Sequence, residues 1–487
     1  MTFEPVIGLE IHAELLTLSK MFCACPVVDT TSADPNTAVC EICTGMPGTL
    51  PVINERAVEY ALRVAVALHC DVAEVSQFAR KNYFYPDLPK GYQISQYEMP
   101  LASNGWVAIN TEANERRIRI RRVHLEEDTG KLFHRSDHSL VDYNRSGVPL
   151  LEIVSEPDLY SVEEVKAYAT TVRTLLRYLE VNSGDMEKGV IRFEANVSIR
   201  RKDSQGLGTR TEIKNLNSFR AMTHALAYEV ERQIKTLTSG GKVIQETVGW
   251  DEAQGITYSQ RSKEEAHDYR YFPEPDLPPL HIDPTWVERV RKELPELPDA
   301  KRSRFVAQYD LTPYTTDLLT AERSVADFFE TAVASTSDAS ADKIANWLTG
   351  DFFGLINQAG IEIQQSKVTP NALAELVAMV ERGEINATSG KSVLSEMFES
   401  GGTPQAMVER GGLTQLNDPQ VINALVSRVL HENPQQVEQY LGGKTTVSQW
   451  LFGQVMRATG GRANPSLIRT SLNMALQDLE ERRHTGE

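Results

Sequence analysis

The chain is 487 residues long, with 24% charged residues and a formal net charge of −17. That length suits two to four domains with sizeable cores, and the acidic balance argues against general nucleic-acid binding. No apolar run approaches the length of a bilayer span, and Met-Thr-Phe-Glu-Pro carries no basic segment followed by an apolar one, so no membrane role, a cytoplasmic location and reduced or metal-bound cysteines are expected.

Residues 6–15 read as the first strand. Ile7, Leu9, Ile11, Ala13 and Leu15 fall on one side, and Glu10, His12 and Glu14 on the other, because a strand turns successive side chains to opposite faces. Next come two close cysteine pairs, Cys23-Ala-Cys25 and Cys40-Glu-Ile-Cys43. Four thiolates so paired suit tetrahedral zinc, and with every ligand supplied by protein the site is expected to be structural. The alternative is four unliganded thiols. A helix is expected over residues 55–69, where Ala57, Tyr60, Ala61, Val64 and Leu68 recur at helical spacing. Cys70 behind it reads as a core residue.

Residues 80–92 mix Arg80, Lys81 and Lys90 with four aromatics and two prolines. Such a loop stacks on a base or ribose and pairs with phosphate, or else packs its rings inward. Residues 118–127 alternate again, with a register slip near Arg121-Arg122 that leaves His124 and Glu126 together. A second helix is expected over residues 162–179. In residues 191–200 the polar face holds Arg192, Glu194, Asn196, Ser198 and Arg200, and Arg210, Glu212 and Lys214 flank Thr211 and Ile213. Side by side, these strands predict a sheet with an apolar back and a carboxylate-rich front able to hold a hard divalent cation and a polyphosphate. The competing reading is the ordinary wet face of an antiparallel sheet, laced with ion pairs.

Gly-Lys-Ser at 390–392 and Gly-Lys-Thr at 443–445 are not phosphate loops, since Ile385 and Glu438 stand where the required earlier glycine would be. Seven of the 23 prolines lie between Pro273 and Pro298, which predicts a linker or domain edge. Beyond it the chain reads as helical. Thr369-Pro370, Asp418-Pro419, Asn433-Pro434 and Asn464-Pro465 each offer a capping side chain before a proline at the first helical position, and Ile422, Leu425, Val426, Val429 and Leu430 form one apolar stripe. The expected fold class is α+β: a mainly antiparallel sheet cradle with helices over residues 1–295, a helical connector over 296–405, and a small all-α tail over 406–487. Residues 441–470 contain Lys444, Arg457, Arg462 and Arg469 and no acid, either a patch for phosphates or a helix surface whose bases happen to cluster.

Several long motifs resemble one family. They are Val6-Ile7-Gly8-Leu9-Glu10-Ile11-His12, the paired cysteines, residues 80–96, His124-Leu125-Glu126-Glu127-Asp128 and Asp142-Tyr143-Asn144-Arg145. Pro149-Leu150-Leu151-Glu152-Ile153-Val154, Glu212-Ile213-Lys214-Asn215-Leu216-Asn217-Ser218-Phe219, residues 261–276 and the stretch from Gly453 to Pro465 continue the match. The sequence is similar there to the B subunit of the aspartyl/glutamyl-tRNA amidotransferases, over nearly its whole length. The resemblance implies an enzyme, a glutamine-hydrolysing carbon–nitrogen ligase that corrects misacylated Glu-tRNA(Gln) or Asp-tRNA(Asn). ATP phosphorylates the side-chain carboxylate, and ammonia then displaces phosphate. In this family the B subunit is the kinase and tRNA-binding component. The A subunit, an amidase (glutaminase), supplies ammonia from glutamine, and a small C subunit clasps the two.

The implied cofactors are ATP, magnesium and structural zinc. In this scheme Glu10, His12 and Glu126 hold magnesium, with Glu127, Glu194 and Glu212 as further catalytic acids. His12, an unusual ligand for a hard cation, acts through water or admits manganese. Lys214, Arg192, Arg80, Lys81 and Asn215 are the expected phosphate and nucleotide contacts, and Lys444, Arg457, Arg462 and Arg469 meet tRNA. With four cysteines committed and Cys70 in the core, the chain shows no glutaminase nucleophile, so ammonia must arrive by a channel from a partner. Glu194 departs from the family's usual Asp, which leaves its ligand role open, and Glu41-Ile42 replaces Pro-Val. Two other readings stay open: a tRNA-binding scaffold with a decayed kinase site, and a metal-dependent hydrolase that needs no ATP.

Overall fold

Nine strands of the N-terminal unit join into one sheet. In chain order they are β1 (Phe3–Glu14), β2 (Asp71–Val72), β3 (Ala102–Asn110), β4 (Glu115–Glu127), β5 (Pro149–Ser155), β6 (Ile191–Arg201), β7 (Thr211–Leu216), β8 (Glu246–Asp251) and β9 (Ile256–Ser262). Their spatial order is β9-β8-β7-β6-β1-β5-β4-β3-β2, with β1 near the middle. The computed structural model describes residues 3–111, 115–204, 206–262 and 269–485. These divide into two units, 1–300 and 301–487.

The pairing is antiparallel except between β7 and β8, which run parallel. Helix α3 (Phe219–Thr238) connects that pair, as parallel strands need a long crossover while antiparallel ones do not. Two further helices, α1 (Glu55–Ala67) and α2 (Val162–Tyr178), cover the apolar face. Asn54 accepts from the amides of Arg56 and Ala57 to start α1, and Ser161 and Ser218 start α2 and α3 in the same way. The first helix stops earlier than its periodicity predicts, because His69 takes a left-handed conformation (φ 56°) and the Cys70 amide folds back to the Ala65 carbonyl.

The core of this unit is the back of the sheet pressed on these helices. Ile7, Leu9, Ile11 and Ala13 of β1, Val123 and Leu125 of β4, Leu151 and Ile153 of β5, and Phe193, Ala195 and Val197 of β6 are all buried. Each large side chain so buried contributes about 1.5–3 kcal/mol, so the polar residues between them are held on the front with no freedom to slip register.

The proline-rich stretch, expected as a linker or domain edge, ends beside the boundary between the two units and itself contains a helix. Pro284–Glu293 is a helix whose first residue is the proline and whose cap is Asp283. Its Val290 is buried in the N-terminal core, with Trp286 and Val287 packed beside it. Proline breaks a helix interior but suits its first turn, and at Pro284 the second effect prevails.

The second unit is helical and has two apolar cores. One contains residues from Phe305 to Val408, including Phe329, Phe352, Leu373 and Leu394. The other contains residues from Ile422 to Leu476, including Val426, Leu451 and Ile468. Helices Pro370–Glu381, Pro419–Glu432 and Pro465–Thr485 begin at the expected prolines, and Thr369, Asp418 and Asn464 accept from their first amides. Asn433 behaves otherwise. Its side-chain amide donates back to the Val429 carbonyl, closing the preceding helix and leaving Pro434–Leu441 without a side-chain cap.

Candidate active site and metal centres

The front of the sheet floors a cavity of about 860 Å³. Register explains its composition. His12 of β1 pairs with Glu152 of β5 on one side and Arg192 of β6 on the other, while Glu152 also pairs with His124 of β4. One row across four strands therefore reads His124, Glu152, His12, Arg192. Two residues along β1, Glu10 sits opposite Glu194.

Two groups of potential metal ligands result. His12, Glu126 and Glu152 bring ligand atoms within 4.8 Å of one another, and so do Glu10, Glu194 and Glu212. In the first, the His12 Nε2 lies 3.5 Å from Glu152 and 3.8 Å from Glu126, and His124 Nε2 lies 3.1 Å from the same Glu152 oxygen. Burial works against a charged His12, yet its hydrogen bond to Glu152 and the surrounding acids push its pKa up to about 9. In the second, Lys214 Nζ is 3.0 Å from Glu194 and 3.5 Å from Glu212. Burial and the charges of Glu152, Glu194 and Glu212 raise the Glu10 carboxyl above the usual range. Three acids that crowd one another's charge, with Lys214 as a fixed counter-cation on two of them, form an oxygen-rich set suited to a divalent ion. Asn196 donates to Glu10 at 2.8 Å while its own carbonyl oxygen is buried without a partner.

Most expected site residues line this cavity: Glu10, His12, Lys81, Glu126, Arg192, Glu194, Glu212, Lys214 and Asn215. Arg192 is bound to Asp128 at 2.7 Å. Asp128 also faces Glu14, whose carboxyl is pushed up to about 8 by burial and by that neighbouring charge. Two expected members lie elsewhere. Glu127 points to the opposite side of β4 from Glu126, where Lys90 Nζ engages both its oxygens and the Ile94 amide donates to it. Arg80 makes a two-pronged bond to Glu274 at 2.7 and 2.8 Å and a third to Asp276, with its guanidinium over the Tyr92 ring. Both are adjacent in sequence to cavity residues, and strand alternation sends such neighbours away from each other.

Glu152 is the member that sequence reasoning missed. Its signal was present: it is the lone acid in Pro149–Ser155, a strand buried along its whole length. A buried carboxylate persists only with partners, and His12 and His124 are those partners.

The cysteine cluster is a separate centre. Cys23, Cys25, Cys40 and Cys43 bring their sulfurs within 4.8 Å of one another. The fully buried Lys20 lies 3.6 Å from Cys43 Sγ and donates to the Tyr143 carbonyl. Hydrogen bonding from Cys23 and the Lys20 charge lower the Cys43 thiol to about 4. Four converging sulfurs, one already favouring thiolate, fit a tetrahedral zinc ion. Cys70 is buried, and desolvation pushes its thiol up to about 12, which makes it inert as a nucleophile.

In the second unit, Lys444, Arg457 and Arg469 are exposed, with the Arg469 guanidinium 5.4 Å from the Phe452 ring centre. Arg462, also exposed, donates from Nε to the Thr459 carbonyl and from Nη1 to the Gly412 carbonyl. Of residues 261–276, which carry part of the family match, 263–268 lie outside the described residues. Tyr269 and Tyr271 line the cavity.

Comparison with known proteins agrees over the full length. Residues 5–288 match the GatB/GatE catalytic domain family and residues 327–476 the GatB domain family. A protein of Moorella thermoacetica is 51% identical over 480 residues, covering 98% of this chain and all of the relative. Proteins of Thermoanaerobacter pseudethanolicus and Persephonella marina are 49% and 48% identical with the same coverage. All three carry the name of the B subunit of aspartyl/glutamyl-tRNA(Asn/Gln) amidotransferase.

Proposed function

The chain belongs to the family of aspartyl/glutamyl-tRNA(Asn/Gln) amidotransferase B subunits, and on that premise we propose that the carboxylate-floored cavity is where the esterified amino acid of a misacylated tRNA is activated by ATP and amidated. The observation that carries this reading is the convergence of His12, Glu126 and Glu152 beside Glu10, Glu194 and Glu212 on one rigid sheet. A carboxylate is a poor electrophile at pH 7. Its oxygen attacks the γ-phosphorus of ATP, ADP leaves, and the resulting acyl phosphate accepts ammonia at carbon while inorganic phosphate departs. Phosphoryl transfer asks for positioning and positive charge more than for a protein nucleophile.

The chain's own residues supply the positioning. Lys214 and Arg192, already on the floor, place donors toward phosphate oxygens, and Lys81 adds a third cation from the wall. His12, Glu126 and Glu152, or Glu10, Glu194 and Glu212, would hold magnesium, which when bound would supply positive charge beside the transferred group. Because both sets are built on paired strands, their ligand atoms are fixed before substrate arrives. The four cysteines would hold a structural zinc, which when bound would secure the loop beside β1.

The family name implies companion chains. With Cys70 buried and the other thiols gathered, ammonia comes from a partner glutaminase, and a small third chain joins the two. The exposed Lys444, Arg457 and Arg469 meet the tRNA backbone. Intact converging acids speak against a scaffold whose kinase site has decayed. Reconstitution with Glu-tRNA(Gln) or Asp-tRNA(Asn), ATP and glutamine tests the proposal: amide should form on at least one tRNA, only with ATP, and amide formation without ATP refutes it.

A further inference from the structure

One wall of the same cavity takes no part in the cation floor. Arg192 and Lys214 are bound to acids, but Arg122, which also lines the cavity, has no carboxylate partner among the described residues, and its Nε is buried without a hydrogen bond. Beside it is Tyr97, whose ring centre is 5.8 Å from the guanidinium carbon. Tyr97 stacks on Tyr271, with centroids 4.1 Å apart and planes within 6°, yet remains 46% exposed.

The backbone explains how Arg122 comes to be there. Ile118 and Ile120 of β4 point into the core, so unbroken alternation would bury residue 122 as well. Instead Ser155 pairs with Ile120 and Val154 with Arg122, which makes Arg121 the extra residue of a β-bulge. Alternation resumes one place late: Val123 and Leu125 enter the core, and Arg122, His124 and Glu126 turn to the cavity. A bulge re-aims side chains in this way at the expense of regular pairing. It presents a cationic donor with no acceptor among the described residues, an arrangement that costs stability until an anion fills it.

An unpaired guanidinium next to a flat, half-exposed aromatic stack matches one ligand chemistry, a nucleobase with a phosphate attached. We infer that Tyr97, Tyr271 and Arg122 form a nucleotide subsite, with the base against the tyrosine stack and a phosphate oxygen accepting from Arg122. The inference rests on the proposed function of the cavity and adds to it a place for a nucleotide that the acids do not provide. Two substrates of that reaction carry this chemistry: ATP and the 3′-terminal adenosine of the charged tRNA. No bond forms or breaks at this wall.

The test compares Tyr97→Ala, Tyr97→Phe and Arg122→Gln in the reconstituted complex, measuring KM for ATP and for misacylated tRNA with the other substrate saturating. Tyr97→Ala and Arg122→Gln should both raise the same KM by about 10-fold or more, with a smaller change in kcat, while Tyr97→Phe, which keeps the ring, stays near wild type. A rise confined to ATP assigns the wall to ATP, and a rise confined to tRNA assigns it to the terminal adenosine. Unchanged KM values for both substrates, or Tyr97→Phe as impaired as Tyr97→Ala, overturn the subsite. His12→Ala in the same assay separates the two claims. If it is inactive while the wall variants match wild type, only the subsite fails; if it is fully active, the cation floor fails whatever the wall variants do.

Discussion

His12 and Glu152 face each other across neighbouring antiparallel strands, with the imidazole Nε2 3.5 Å from the carboxylate. The same Glu152 oxygen receives His124 from the strand beyond. One buried acid thus fixes two histidine rings and contributes to a three-ligand set. Glu152→Gln keeps the shape and removes the charge. Amide formation by the reconstituted complex should fall on the order of 100-fold, with the thermal midpoint of the chain little changed. Activity within a few-fold of wild type would remove Glu152 from the site.

The cysteine cluster makes a prediction about metal content. Metal analysis of the purified chain should find one zinc per molecule, and Cys40→Ser or Cys43→Ser should lose it. Because metal binding is coupled to folding of the loop that holds it, chelation should lower the thermal midpoint and increase proteolytic cleavage within residues 23–43. A chelator that strips zinc without either effect would contradict a structural role.

For the tail, charge can be separated from fold. Lys444, Arg457 and Arg469 are exposed and make no ion pair among the described residues, so changing all three to Gln leaves the helical core intact. Binding of tRNA should weaken at least 10-fold, and the dependence of log Kd on log salt should flatten by about 3. An unchanged salt slope would show that these bases meet no phosphate. Truncation has a natural place as well. Met407 and Val408 belong to the connector core, so a chain cut after residue 405 would damage that core, whereas one cut after Leu413 spares it.

Stability offers an independent check. Glu229 of α3 is fully buried and holds Arg232 through two hydrogen bonds of 2.7 and 2.8 Å, with Gln233 and Thr257 adding to it. Arg232→Met strands that carboxylate without its cation and should destabilise the N-terminal unit by about 3 kcal/mol, read as a lower thermal midpoint. No change in midpoint would mean that the bonds from Gln233 and Thr257 hold the carboxylate without Arg232.

Much of this architecture could be read from the chain because period-two patterning leaves little choice. Glu10, His12, Glu126, Glu194 and Glu212 were readable as one face of several strands, and the slip near Arg121-Arg122 is a bulge at Arg121. Strand order was not readable. Nothing in the sequence says that Pro149–Ser155 inserts between β1 and β4, and that insertion brings Glu152 to His12. Glu127 and Arg80 stand beside the cavity residues Glu126 and Lys81 in sequence, but their partners, Lys90 and Glu274, are 37 and 194 residues away. Helix starts were legible because capping is local, whereas Asn433 serves the helix before it, not the one after.

The most direct test of the acid-floored activation site follows oxygen. A misacylated tRNA whose side-chain carboxylate carries oxygen-18 is turned over by the complex with ATP and glutamine, and the inorganic phosphate is analysed by mass spectrometry. Attack of that carboxylate on ATP transfers one labelled oxygen to each phosphate released, and Glu152→Gln and His12→Ala should each lower the labelled phosphate together with the amide on the order of 100-fold. Unlabelled phosphate alongside normal amide formation, or undiminished labelled phosphate from both variants, would contradict the assignment.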